Sequence, residues 1–183
     1  MKLASLNDGS KDGQLIVVSK DLSKFAYASD VSQTMQNAMD NWEDVFNELT
    51  SLSNDLNRGN LKSKKFEPKN VLSPLPRSYQ WADGSAYVNH VHLVRKARGA
   101  DMPDSFWNDP LMYQGGSDDF IPPLSPIYLP DESWGIDMEG EIAVITGKVN
   151  MGTSSKKALS SIRLLMLVND VSLRNLIPNE LSK

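Results

Sequence analysis

The chain has 183 residues, 40% hydrophobic and 23% charged, which is globular composition and enough chain for one ordinary domain or two small ones. Its net charge of -4 comes without a basic stripe, which argues against nucleic acid as a partner, and the absence of cysteine excludes disulfides and thiolate metal sites. Any metal must then bind through oxygen or the two histidines, which points to magnesium, calcium or manganese.

The N-terminus turns polar too early for a signal peptide, and the longest apolar run, Leu164 to Val168, is far too short for a bilayer, so no membrane association and a cytoplasmic location are expected. Residues 2–6 and 14–19 read as short strands around a turn-rich Asn-Asp-Gly-Ser segment, and Lys24 to Ala28 adds a third. The period then changes. Met35, Ala38, Met39, Trp42, Val45, Phe46, Leu49 and Leu52 follow helical spacing, predicting one helix over about residues 32–57. Asp30 and Gln33 stand at capping-box separation, and Gly59 is the stop. The Met and aromatic stripe is core packing rather than a cofactor site. Residues 60–76, polar and then rich in proline, read as a linker. They divide an N-terminal α+β domain (1–76) from a second domain (77–183).

The second part is rich in loops and strands. Val88 to Val94 reads as a strand, 107–130 as loop, Glu139 to Thr146 as a strand, Ser154 to Ser160 as a short helix capped by Ser154 or Ser155, and the run from Leu164 as a strand.

Three acidic residues alternate at Asp137, Glu139 and Glu141. On one strand they would share a face at a spacing of roughly 7 Å. Neighbouring carboxylates that far apart repel by about 2 kcal/mol at an effective dielectric near 20, and therefore need water, a base or a cation. The face continues into Ala143 and Ile145, which favours a cation in a partly enclosed site. On the later strand, Asp170, Ser172 and Arg174 would also share a face. Asp170 is then paired with Arg174 or bound to a cation, and the segment by itself favours the pair. Asp83 precedes a glycine, as turn residues do. His90 and His92 would share a strand face, but no acidic residue stands at matching spacing to complete a histidine metal site. Tyr113-Gln114-Gly115-Gly116-Ser117 lacks the lysine and the strand-to-helix context of a phosphate loop.

Asp83 followed by His90, then Tyr113-Gln114-Gly115, Glu139-Gly140-Glu141 and Asn169-Asp170-Val171-Ser172-Leu173-Arg174, stand in an order that resembles the fumarylacetoacetate hydrolase family over nearly the whole chain. The resemblance implies an α+β protein: a small sheet-plus-helix domain followed by part of a mixed β-roll. It implies a Mg2+, Ca2+ or Mn2+ ion held by Asp83, Glu139, Glu141 and Asp170, with Asp137 in a supporting or surface position. His90 matches the histidine that activates water, and Tyr113 a tyrosine near the substrate. An arginine near the site falls at Arg95 or Arg98, of which Arg98 is taken for substrate binding, and Arg174 organises the metal face. The implied reaction is hydrolysis of a carbon–carbon bond in a β-dicarbonyl acid, a small-molecule substrate of the fumarylacetoacetate or acylpyruvate kind. Oxaloacetate decarboxylation and dienoate hydration are the family alternatives.

Two departures from the family pattern stand out. The glutamine expected seven residues after the last metal aspartate is Ile177 here, which argues against fumarylacetoacetate itself. The chain also stops soon after Asp170, which predicts an incomplete roll, low turnover, and a homodimer or a complementing C-terminal chain as partner. A non-enzymatic fragment and a metal-free acidic interaction module are the competing readings.

Overall fold

The computed structural model describes residues 1–109 and 111–178. The fold is α+β. Three antiparallel strands form first: β1 (Lys2–Leu6), β2 (Gln14–Val18) and β3 (Lys24–Tyr27). β2 is the central strand and is apolar without alternation because both its faces are covered. Leu15 and Val17 pack under the helices with Met35, Ala38, Leu49 and Leu56, while Ile16 and Val18 pack with Phe25 and Val71 on the other side.

The expected single helix is two. α1 (Met35–Asp40) and α2 (Trp42–Arg58) meet at Asn41, whose backbone leaves helical geometry. The Asn41 side-chain amide donates to the Asn37 carbonyl at 3.0 Å, a local bond that competes with the helical ladder. The capping box at Asp30 and Gln33 does not form. Thr34 is the cap instead, its hydroxyl accepting from the Asn37 N–H at 3.1 Å. Gly59 does end α2, in the left-handed region at φ 80°, and the Asn60 N–H closes back onto the Asp55 carbonyl. Phe46 is half-exposed and leans on Trp42 rather than entering the core.

Residues 60–76 are not a free linker. Lys64 and Lys65 add β4 (Lys64–Lys65) to the sheet edge, giving the order β1-β2-β3-β4. Phe66 and Val71 then cover the second face of β2.

Beyond residue 77 come β5 (Ala82–Gly84), α3 (Val88–Ala97), β6 (Met112–Gln114), β7 (Ile136–Asp137), β8 (Gly140–Thr146), α4 (Ser155–Ala158), β9 (Ile162–Asn169) and β10 (Ser172–Leu173). They pair as three antiparallel ribbons, β5 with β6, β7 with β10, and β8 with β9. Ser154 occupies the N-cap position of the short α4, without a capping bond from its side chain. Val88 to Val94, expected as a strand, lies in α3. Its β-branched residues recur at 88, 91 and 94, which is helical spacing, and Val91 is the buried one. His90 and His92 are therefore about 200° apart around a helix and do not form a pair.

The two parts are tied together by a bidentate pair from Arg77 to Asp12 at 2.6 and 3.0 Å, by an ion pair between Arg163 and Glu43, and by Leu164 against the first core. Among the described residues, no helix is long and apolar enough to cross a membrane.

Candidate metal centre

The site forms where two ribbons are interrupted at the same level. β7 and β8 are separated by Met138 and Glu139, and their partners β10 and β9 by Asp170 and Val171. The gap is stitched rather than open: the Asp170 N–H donates to the Glu139 carbonyl at 2.9 Å, and the Glu139 N–H donates to Asn169 Oδ1 at 3.1 Å. A break in a ladder re-aims side chains. Here it turns Glu139 and Asp170 toward Glu141, and one carboxylate oxygen from each lies within 4.8 Å of the others.

The same break undoes two expectations. Asp137, Glu139 and Glu141 do not lie on one continuous strand. Asp137 stays exposed, where it accepts from Arg174 Nε at 2.9 Å. Asp170, Ser172 and Arg174 are likewise not one strand face, and Arg174 does not pair with Asp170. Its guanidinium bridges Asp137 and Glu139, and Ser172 Oγ lies 3.3 Å from Glu139 Oε1.

Glu139 is thus held on one side and free on the other. Oε1 faces Arg174 and Ser172, while Oε2 lies 3.7 Å from His90 Nε2 on α3. Asp83 reaches the site from the β5–β6 ribbon, where it sits opposite Tyr113. Its charge raises both Glu141 and Asp170, so it is a close neighbour, but it stands outside the three-carboxylate group. Tyr113 is supported by Trp81, whose ring meets it edge-on at 5.6 Å and whose indole N–H donates to the Gly116 carbonyl at 2.8 Å.

The electrostatics match an acidic centre short of positive charge. Burial, followed by repulsion from Asp83, Asp170 and Glu139, pushes the Glu141 carboxyl above its ordinary range. Burial and the charges of Glu139 and Asp83 do the same to Asp170. Burial also raises the Tyr113 hydroxyl, with further contributions from Asp170, Asp83, Glu141 and Glu139, so Tyr113 remains a donor. Asp137 is held low by the Arg174 hydrogen bond. One arginine, already shared with Asp137, leaves this group in excess negative charge. An all-oxygen donor set of this density fits a hard divalent cation.

The arginines of α3 do not join the site. Arg98 is exposed at the helix C-terminus and, among the described residues, makes no ion pair. Arg95 donates to the Asp101 carbonyl at 3.2 Å. Ser172 was expected on a face with Asp170 and Arg174, and here it reaches Glu139 instead; residue spacing gave no sign of Trp81. Only the position of Asn169 beside Asp170 pointed toward its role.

A search of curated proteins finds no significant match. Two family models match in succession: Fumarylacetoacetase N-terminal domain 2 over residues 1–77, and Fumarylacetoacetate (FAA) hydrolase C-terminal over residues 80–183. With more than half of its length in the second match alone, the chain belongs to the fumarylacetoacetate hydrolase family.

Proposed function

We propose that the chain binds a divalent cation, Mg2+, Ca2+ or Mn2+, through Glu139, Glu141 and Asp170, with Asp83 as the fourth carboxylate, and serves hydrolysis of a carbon–carbon bond in a β-dicarbonyl acid. Family membership supports an enzyme of hydrolase or lyase type. The observation that carries the finer reading is the meeting of three carboxylates with His90 Nε2, which stands 3.7 Å from one of them.

A cation held there would supply Lewis acidity to the substrate's carbonyl oxygens and stabilise negative charge developing on them. His90 is the general base and takes a proton from water at Nε2. Glu139 Oε2 faces that nitrogen and stabilises the imidazolium that results. Arg174 and Ser172 fix Glu139 from the opposite side, so the carboxylate cannot rotate away from the ring. Hydroxide adds to a carbonyl carbon, the carbon–carbon bond breaks with its electron pair going to the departing carbon, and the His90 imidazolium returns its proton to that carbon. Tyr113, kept protonated by its surroundings, donates a hydrogen bond to a substrate oxygen.

Calorimetry with MnCl2 or MgCl2 tests this directly. One site is expected in the unsubstituted chain and none in Glu139→Ala or Glu141→Ala. A folded sample that takes up neither ion overturns the reading. Turnover of acylpyruvates compared with oxaloacetate then separates carbon–carbon hydrolysis from decarboxylation.

A further inference from the structure

We propose that Asn169 is a positioning residue of the metal centre: its side-chain carboxamide stands in for a strand carbonyl and so fixes the backbone from which the Glu139 carboxylate is presented. The inference rests on the cation-binding reading of Glu139, Glu141 and Asp170 and adds the group that holds the first of them in place.

Register locates the bond that Asn169 replaces. The β8–β9 ribbon ends at Gly140 opposite Asn169, and the β7–β10 ribbon begins at Asp137 opposite Ser172. Met138 and Glu139 lie between on one side, Asp170 and Val171 on the other, so the two ribbons share one register and Glu139 stands opposite Asp170. In an antiparallel ladder, every second opposed pair exchanges two backbone bonds. The Arg174 N–H donates to the Gly135 carbonyl at 2.9 Å, which places Glu139 and Asp170 in the bonded phase. One half of their exchange is present, from the Asp170 N–H to the Glu139 carbonyl at 2.9 Å. The other half is taken over by the neighbouring side chain: the Glu139 N–H donates to Asn169 Oδ1 at 3.1 Å.

Glu139 is therefore fixed twice. Residues 169 and 170 hold its backbone, and Arg174 and Ser172 hold its carboxylate at Oε1. The residue type at 169 follows from reach and charge. Asn and Asp both offer a planar oxygen on a short side chain. A carboxylate there would add negative charge beside Glu139, Glu141 and Asp170, whereas a carboxamide accepts the bond without one. Asn169 is also exposed, on the ribbon face of Leu165 and Leu167, so it fills no core. A hydrogen bond that water can replace contributes little to stability, which leaves orientation of Glu139 as its effect.

Calorimetric titration with MnCl2, paired with thermal melts of the metal-free chain, tests this. Asn169→Leu keeps the size of the side chain and removes the acceptor; Asn169→Ala removes it without adding apolar surface. Both are expected to bind Mn2+ roughly tenfold more weakly. The metal-free melting temperature should move by no more than about 4 °C. Asn169→Asp restores the acceptor and should bind within about threefold of the unsubstituted chain, or more tightly. Its added charge attracts the ion as well, so amide exchange at Glu139 in the metal-free chain reads the bond itself. Exchange should be slow in the unsubstituted chain and in Asn169→Asp, and on the order of tenfold faster in Asn169→Leu and Asn169→Ala. Unchanged affinity in Asn169→Leu and Asn169→Ala, or equal Glu139 exchange in all of these chains, overturns the role of Asn169 and leaves the cation-binding reading standing. An unsubstituted chain that takes up no Mn2+ overturns that reading, and the role of Asn169 with it.

Discussion

His90 Nε2 lies 3.7 Å from Glu139 Oε2, while the other oxygen of the same carboxylate is taken by Arg174 and Ser172. One side chain therefore connects the acidic cluster to the candidate base, and its orientation depends on an arginine that touches neither the histidine nor Asp170. The first prediction concerns that arginine. Arg174→Gln leaves Asp137 and Glu139 without their shared cation. Metal affinity is expected to fall by roughly tenfold or more, as when ligand-supporting contacts are lost. Stability of the metal-free chain should change by only about 1 kcal/mol, because the pair is partly exposed and relief of crowding elsewhere is absent. Calorimetry and thermal melts in parallel separate the two effects.

The second prediction is a pH dependence. Glu141 and Asp170 are both raised in the folded chain, chiefly by burial and then by neighbouring carboxylates. A raised acid favours the folded state while it is protonated. Its contribution is therefore present below the ordinary carboxylate range and is lost as pH rises through the folded value. Cation binding requires the ionised forms and runs the other way. Without metal, the melting temperature contribution from these groups should decline from pH 4 upward; with excess MnCl2 the metal-induced rise in melting temperature should grow over the same interval. A metal effect of equal size at pH 4.5 and pH 7.5 would contradict it.

Gly115 provides a third. A Cβ built on it would lie 1.8 to 2.3 Å from the Trp81 ring, so any side chain there must displace the tryptophan. Trp81 in turn supports Tyr113. Gly115→Ala is expected to destabilise the chain by about 1–3 kcal/mol, the range for overpacking, and to shift tryptophan emission to the red. Metal binding should survive, since no ligand sits on this loop.

The fourth concerns the seam between the two parts. The Asp12 carboxyl is held low by the Arg77 hydrogen bonds. A lowered acid contributes stability above its unfolded value and loses it as pH falls through the folded one. Asp12→Asn should thus cost less than about 1 kcal/mol at neutral pH, the pair being exposed to solvent, and the cost should shrink as pH falls below the ordinary carboxylate range. Denaturant melts at pH 7 and pH 3 measure both.

The fifth arises from the β8–β9 ribbon. Ile142 faces Leu167 and Val144 faces Leu165 across the register, and Ile142, Leu165 and Leu167 are 75%, 70% and 85% exposed. A two-stranded ribbon with an uncovered apolar face is marginal alone and invites association. Sedimentation is expected to show concentration-dependent association, reduced in Ile142→Thr/Leu167→Lys. A compact monomer at all concentrations with unchanged stability would rule this out.

Much of the N-terminal half was readable from local pattern. Residues 14–19 announced a strand, the helical stripe from Met35 to Leu52 announced a helix, and Gly59 announced the stop. Asn41 escaped notice because the apolar period runs unbroken across it, and the break comes from one side-chain bond to Asn37. Val88 to Val94 misled because β-branched residues at helical spacing satisfy two patterns at once. The acidic residues were visible as alternation around Glu139 and as the Asn-Asp pair at 169–170. The strict strand face inferred from them was wrong, because alternation says nothing about where a ladder stops.

The order of residues by itself determined which groups are available: oxygen ligands without thiolates, one helix-covered sheet, and acidic pairs on strands with apolar tails. Tertiary structure alone decided which of them meet. It set Glu139 and Asp170 side by side at matching breaks through a backbone hydrogen bond and a bond from the Glu139 N–H to the Asn169 side chain, assigned Arg174 to Asp137 and Glu139 instead of Asp170, and left Arg98 in solvent. The physical reason is range. Propensity and periodicity act over a few neighbours along the chain, whereas a charge responds to whatever lies within several ångströms in space, and residues 83, 139 and 170 become neighbours only after the ribbons pair.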